Sequence, residues 1–356
     1  MKLKTMSNSS DNSIPLISFF TGGGFMDMGF EKAGFKTIYA NEFNPRIAHA
    51  FEYSFNKWAK RKKSEWLVPS HDSISEIDSK EIKNLLKDQI GDELFGVIGG
   101  PPCQDFSVSG EVKGLKGERG KYTISFIDQI IDLEPHFFVM ENVKGLPKFK
   151  TLKNDFNYIN SEFSKKYWLT YDIHNALSYN LPQHRERLIL IGVRKDLINF
   201  KIGENLKQYL HFPKANESFN RKSKLNRFQK TGKYMLNGKS SKLKNHVFPN
   251  LKDSTMEKVK TIPEGETNRR SFRRISRSSY SPTLSFGHNE IFLHPIEDRR
   301  LSVRECLRLQ GVDDSYHFDK GVTLTTMYKI ISNGVPVPLA KEIGVRIKEF
   351  ITLNLS

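Results

Sequence analysis

A chain of 356 residues with 37% hydrophobic and 12% aromatic residues is long enough for one large domain or two unequal ones, each with a sizeable core. No apolar stretch approaches a membrane span, and the opening MKLKTMSNSSDNS lacks the apolar centre of a secretory signal. Two cysteines 203 positions apart, without CxxC or HxxxH spacing, argue against a zinc site or a disulfide framework, and the formal charge of +16 points to a polyanionic partner.

Residues 1–13 read as a frayed tail on a cytoplasmic protein. The apolar run IPLISFF, from Ile14 to Phe20, has strand length and ends in TGGGF; a helical pattern carried by Met26, Met28, Phe30 and Ala33 follows. KTIYANE is a second strand. Asn44-Pro45 opens a helix with Ile47, Ala48, Phe51 and Phe55 on one face, and the run from Lys60 to Lys63 is its solvated end. Then come HDSISEID, a helix through Ile82 to Ile90, the strand LFGVIGG, a loop, a helix near Ile124 to Ile131, and the strand HFFVMENV. Repeated strand-then-helix units predict an α/β fold, a mainly parallel sheet with helices on both faces. TYDIHNAL and RLILIGVR add two strands, close enough in sequence to form an antiparallel pair at the sheet edge.

After Lys195 the pattern degrades. Residues 201–274 hold 19 Lys and Arg against 6 Asp and Glu, a net of +13 in about a fifth of the chain, which marks them as a separate module. Regularity returns with SVRECLRLQG, read as an amphipathic helix closed by Gly311, and with NGVPVPLAKEIGVRIKEF, read as a Pro-initiated C-terminal helix.

Chemistry concentrates at strand ends. Gly22, Gly23 and Gly24 let the backbone turn tightly and approach a ligand, and Glu42 ends the second strand where a carboxylate accepts ribose hydroxyls. An ordinary turn with a surface glutamate, or a site for NAD, FAD or S-adenosylmethionine, all fit these residues. Cys103 follows Pro101-Pro102 at the carboxyl end of a strand, where open α/β sheets bind their ligands. A lone cysteine is more often a small buried hydrophobe, and its neighbours shift that balance. Glu141 and Asn142 end another strand, and Arg185 and Arg187, two apart at a strand start, leave on one face. A guanidinium nearby favours the reactive thiolate; a structural ion pair of Glu141 with Arg187 is the plainer alternative.

These residues, in order, resemble the DNA cytosine-5 methyltransferases of bacterial restriction-modification systems. The likeness runs through the glycine loop after Phe20, Glu42, HDSI with Asp72, PPCQ, ENV, QHRER, RRLSVRECLRLQG and NGVPVPLA. It implies a Rossmann-like, S-adenosylmethionine-dependent fold with a mixed, mainly parallel sheet and a smaller, irregular, basic target-recognition domain. The implied division is a flexible tail at 1–13, a catalytic domain at 14–198, a target-recognition domain at 199–285, and a hinge and return to the catalytic domain at 286–356.

The resemblance further implies that Cys103 adds to C6 of a flipped-out cytosine, that Glu141 contacts N3 and the exocyclic amine, and that Arg187 reaches O2 with Arg185 in support. Phe20, Gly22 and Gly24 would surround the amino acid end of S-adenosylmethionine, Glu42 its ribose, Asp72 the adenine amine and Phe43 the ring. Pro102 would line the pocket, and Asn333 and Val335 would close it from the C-terminal helix. The implied product is S-adenosylhomocysteine, without a metal; the implied partner is double-stranded DNA, met by a monomer in a bacterial cytoplasm at the nucleoid, with a cognate restriction endonuclease acting separately and no membrane. Phe25 stands where the family usually has a further glycine, and Ser18 where Asp is frequent. Cys306 is assigned to packing. A tRNA methyltransferase of the same family, a non-catalytic DNA-binding relative and a nicotinamide oxidoreductase are the alternatives.

Overall fold

The computed structural model describes residues 13–102, 114–117, 120–198, 205–210, 212, 225–236, 243–286 and 290–355. In chain order the elements are β1 (Ile14–Phe19), α1 (Phe25–Glu31), β2 (Phe35–Asn41), α2 (Pro45–Trp58), α3 (Ser79–Ile90), β3 (Gly96–Gly99), α4 (Gly120–Leu133), β4 (Phe137–Val143), α5 (Gly145–Lys148), α6 (Lys153–Ser164) and β5 (Tyr167–Asn175). They continue with β6 (Gln183–His184), β7 (Glu186–Arg194), α7 (Leu206–Tyr209), α8 (Asp253–Lys260), β8 (Arg273–Arg274), β9 (Ser281–Pro282), β10 (Phe292–Leu293), α9 (Val303–Leu309), α10 (Leu324–Asn333) and α11 (Val337–Asn354).

Six strands pair in the order β2-β1-β3-β4-β7-β5. β2, β1, β3 and β4 are parallel to one another, and β7 runs antiparallel to both β4 and β5. This is the mixed, mainly parallel α/β sheet expected from the sequence, with the antiparallel pair at its edge and β5 outermost.

Strand alternation builds two cores from the same strands. Ile14, Leu16, Phe137, Val139, Ile189 and Ile191 face one way, toward Phe30 of α1 and Leu339 and Ile343 of α11. Ile17, Phe19, Phe138, Met140, Leu188 and Leu190 face the other, toward α3, α4 and α6 through Ile82, Phe126, Ile130, Ile159 and Phe163. A third core joins Phe51 and Phe55 of α2 to Cys306 and Leu307 of α9 and Ile330 and Ile331 of α10; it also takes in Ile275, Leu284 and Phe292, so the end of the basic segment is stitched to the sheet. Asn44 caps α2 by accepting from the Arg46 and Ile47 amides, as its sequence predicts.

Helix α9 departs from expectation. Read as amphipathic, it is instead buried on its polar side too, with Arg304 and Glu305 both at 0% exposure. The charges are tolerated because each is saturated. Arg304 donates to the carbonyls of Lys244, Asp313 and Tyr316, while Glu305 accepts from Arg299 at 2.8 and 2.9 Å and from the Ser302 and Leu236 amides. Burial alone would raise the Glu305 pKa, yet hydrogen bonds from Arg299 hold it below the ordinary value. Cys306, on the same helix, is fully buried with its thiol pushed well up by desolvation, which suits packing.

The last helix closes the fold against the first. At Gly29 an added Cβ would lie 2.4 Å from the Ala340 Cβ and 2.8 Å from the Val337 carbonyl oxygen, so α1 and α11 touch backbone to backbone. Gly29→Ala should force them apart and cost about 1–3 kcal/mol, the usual range for overpacking. Urea titration should show a lower midpoint with an unchanged m-value.

Candidate active site

In an open sheet, ligands gather beyond the carboxyl ends of the parallel strands. Because β7 runs backwards, its first residues rather than its last lie on that rim, beside the end of β4. The register pairs Val143 with Arg187 and Glu141 with Ile189, placing Glu141 and Arg187 on the same face. Arg187 Nε donates to Glu141 Oε1 at 2.8 Å. Glu141 is 9% exposed; burial raises its pKa, and Arg187 and then Arg185 pull it partly back.

Gly100 lies beneath this carboxylate, where a Cβ would stand 3.0 Å from Glu141 Oε2. Next to it, Asn142 Nδ2 donates to the Pro101 carbonyl at 3.5 Å. The rim thus gathers Glu141, Arg187, Asn142 and the half-buried Pro102, the residue before Cys103. Cys103 itself lies outside the described residues.

Arg185 has a different place from Arg187. It is fully buried, and its Nη2 donates to the carbonyls of Ser332 and Gly334 at 2.8 and 2.9 Å. Between the two arginines, Glu186 forms an ion pair with Lys144, just past the end of β4. The Lys144 bridge is legible in the sequence only once β4 and β7 are known to be neighbours.

The glycine loop sits at the end of β1. Phe20, Gly22 and Gly24 have φ of 55°, 57° and 77°, and at Gly24 a Cβ would also lie 2.8 Å from Phe51 and Phe55. Glu42 faces this loop, accepting from the Gly22 amide at 3.1 Å and the Asn44 amide at 2.9 Å. Its pKa is raised by burial, with both amides opposing. Asn41 Nδ2 bonds the Asp72 carbonyl at 2.9 Å, which draws the exposed Asp72 alongside Glu42. Phe43 is 60% exposed, a bare aromatic face between these two carboxylates in chain order and next to Glu42. An oriented carboxylate, an open aromatic ring and a loop of left-handed residues suit a nucleoside.

Asn333 ends α10, exposed, and Val335 is buried in the connection before α11. Sequence reading puts both on the C-terminal helix; the chain instead leaves the helical conformation at Gly334 and starts α11 only after Pro336. That connection lies between the two halves of the site. Gly334 packs on Phe25, Ile330 packs on Gly23, and Arg185 grips the Ser332 and Gly334 carbonyls.

Two contributors escape the motif reading. The buried Tyr316 donates to the Gly23 carbonyl at 2.9 Å, and no local pattern links positions 293 apart. Asp27, at 0% exposure, accepts from Thr21 at 2.9 Å and Thr37 at 3.2 Å, while Ser18 donates to Thr21 at 3.2 Å. Ser18 thus begins a hydroxyl chain that ends on a carboxyl whose pKa burial raises. The only sequence signal was an aspartate among apolar helix positions.

The coupling of Glu141 to Arg187 is open to direct measurement. In a carbon-13 titration the Glu141 carboxyl should have its midpoint above the ordinary glutamate range, and higher still in Arg187→Met, where the favouring cation is gone. A midpoint that ignores the substitution would break the pair.

Comparison with known proteins accords with this geometry. A model of the C-5 cytosine-specific DNA methylase family matches residues 14–349. The Type II methyltransferase M.NmeDI of Neisseria meningitidis serogroup C is 33% identical over 353 residues, covering 94% of this chain and 84% of the relative. M.FnuDI, a Type II methyltransferase of Fusobacterium nucleatum, is 31% identical over 352 residues and covered to 95% on both sides. Among solved structures, a protein encoded within an E. coli prophage superposes with a TM-score of 0.69 at 23% identity, over 96% of this chain and 100% of the other, a likeness of fold. With almost its whole length matched, this chain belongs to the C-5 cytosine-specific DNA methylases and is a DNA cytosine-5 methyltransferase of the restriction-modification kind.

Proposed function

We propose that this chain methylates a cytosine swung out of a duplex, through a transient bond between Cys103 and C6 of the base. The observation that supports it most is the Glu141–Arg187 pair, half-enclosed on the rim where Pro101-Pro102 leads toward Cys103. Relatives named Type II methyltransferases favour duplex DNA over tRNA.

S-adenosylmethionine, when bound, supplies an electrophilic methyl group on a sulfonium. The residues present fit it. Phe20, Gly22 and Gly24 would surround its amino acid end, Glu42 its ribose hydroxyls, Asp72 the adenine amine and Phe43 the adenine face. Pro102 would line the pocket, and Asn333 and Val335 would close it from the α10–α11 connection.

Cytosine C5 is too weak a nucleophile to accept a methyl group unaided. The Cys103 thiolate forms a bond to C6, and the C5–C6 π electrons move into the ring toward N3 and O2. A carboxyl that burial keeps less acidic is suited to hold a proton at N3, so Glu141 would act there. Arg187 would meet the charge growing on O2 while keeping Glu141 in place, and Arg185 would fix the strand start through the Ser332 and Gly334 carbonyls. C5 then takes the methyl group as the sulfonium's S–CH3 bond breaks and S-adenosylhomocysteine is left as the thioether. C5 loses its proton to a base, the electrons re-form the C5–C6 double bond and expel the thiolate, and N3 returns its proton to Glu141.

None of this reaches a stacked base. Extrusion costs a few kcal/mol, which contacts from the basic segment 199–285 to the phosphates would offset. That segment would carry target recognition, with 286–356 returning the chain to the catalytic domain. A monomer meets these needs, and a companion endonuclease would act on its own.

Bisulfite sequencing of DNA from cells expressing the chain should reveal one methylated site. On that site, 5-fluorocytosine should trap a complex that survives denaturing electrophoresis, because fluorine at C5 blocks the final elimination. Absence of a trapped species overturns the proposal. Cys103→Ser should abolish both trapping and turnover, and Glu141→Gln should slow transfer by about 10²–10⁴-fold, the usual range for a general acid. Transplanting residues 199–285 into a relative should carry site preference with them.

A further inference from the structure

The stretch Leu225–Leu236 is fastened at two places. On one side Asn226 Nδ2 donates to Asn180 Oδ1 at 2.9 Å, and the buried Gln229 Nε2 donates to the Leu177 carbonyl at 2.8 Å. Leu177 adjoins Ala176, whose amide donates to the Arg185 carbonyl at 2.9 Å, so this anchor is only two hydrogen bonds from the catalytic strand. On the other side the Thr231 amide bonds the Ser279 carbonyl at 2.9 Å, the Gly232 amide bonds the Arg277 carbonyl at 3.1 Å, and Thr231 Oγ1 bonds the Ser276 carbonyl. The turn gripped there leads into β9, which pairs with β6 immediately before Arg185.

Three cations point away from these anchors. Arg227, Lys230 and Lys233 are exposed. Two of them are braced on Phe228, with the Arg227 guanidinium 4.8 Å and the Lys233 ammonium 3.8 Å from the ring centre. Among the described residues no carboxylate lies within ion-pair distance of the three. Their basic neighbours differ: Arg274 holds Asp298, Arg277 holds Glu264, Arg299 holds Glu305 and Arg308 holds Asp314. These four arginines are paired with carboxylates within the fold, while among the described residues Arg227, Lys230 and Lys233 are not.

We propose that Arg227, Lys230 and Lys233 form a wedge that grips DNA phosphates beside the target cytosine. The proposal rests on the reading that duplex DNA lies across the rim bearing Glu141 and Arg187. Phosphates rather than bases are the expected contact. Lysine heads are point charges without a base-matching fork, and the Arg227 fork is laid against an aromatic ring instead of projecting free.

The test uses the full chain with two duplexes, one bearing the methylated site and one unrelated, titrated across a potassium chloride series. In Arg227→Gln/Lys230→Gln/Lys233→Gln the slope of log K against log salt should fall by about 0.9 for each phosphate that is no longer neutralised, roughly 2.7 in all. Both duplexes should weaken by the same factor. Arg227→Lys/Lys230→Arg/Lys233→Arg should restore the slope, and should the triple glutamine variant fail to fold, Lys233→Gln alone should lower it by about 0.9. An unchanged slope, or a weakening confined to the target duplex, overturns the wedge. A wild-type chain that binds duplex without regard to salt would instead overturn the underlying reading, so the two failures are separable.

Discussion

One buried contact between opposite charges organises this protein: the Glu141 carboxylate against the Arg187 guanidinium, at the mouth of the sheet. Taking two such groups out of water is costly, and losing one partner of a buried pair costs about 3–5 kcal/mol because the other is stranded. The fold meets that demand by reversing a single strand. Were β7 parallel to β4, its opening residues would emerge at the far end of the sheet, a strand length from Glu141. Running backwards, β7 delivers a positive strand start to a negative strand end in the register that pairs Val143 with Arg187. The glycine at position 100 and the amide of Asn142 then bring the Pro101 segment to the same spot.

The second constraint is that the site is assembled from both ends of the chain. Arg185 is held by carbonyls at the end of α10, the glycine loop is held by Tyr316, and α11 lies directly on α1. The buried polar face of α9 belongs to the same device. Arg299, Arg304 and Glu305 reach carbonyls and amides of residues 236 and 244 as well as their own neighbours, so the strap that returns to the sheet is also what fastens the basic segment to it. Saturated charges add to the apolar packing of Cys306 and Leu307 at that junction.

Much of this is legible in the sequence where spacing and chemistry coincide. The strand-glycine-helix unit at Ile14–Ala33, the capped helix from Asn44 and the strand ends at Glu42 and Glu141 combine local propensity with polar residues in the expected places. The two arginines two apart predict a shared face through period-two alternation, yet Arg185 stands before β7 begins and binds the Ser332 and Gly334 carbonyls, while Arg187 meets Glu141. The rest was hidden for identifiable reasons. SVRECLRLQG has the charge spacing of a solvated helix. Its Ser302–Glu305 capping box is local, but the carbonyl of Lys244 that Arg304 meets and the Leu236 amide from which Glu305 accepts come from sixty and more residues upstream, which no local pattern announces. Asn333 and Val335 sit among prolines and a glycine that blur where α10 stops and α11 begins. Tyr316 and Gly23 meet only in three dimensions, and Asp27 looks like a misplaced charge until Thr21 and Thr37 are seen around it.

The backbone contact of α1 with α11 also sets a clock. Gly29 leaves the ribosome some 310 residues before Ala340 does, and at 5–20 residues per second the first helix waits roughly 15 to 60 s for the partner that covers it. Until then Phe30 of α1 and the strand residues on its side, Leu16 first and Val139 once it is made, lack the cover of Leu339 and Ile343, and Arg185 has no carbonyls to hold it. The apolar face and the buried arginine are therefore both completed by the same late-made segment.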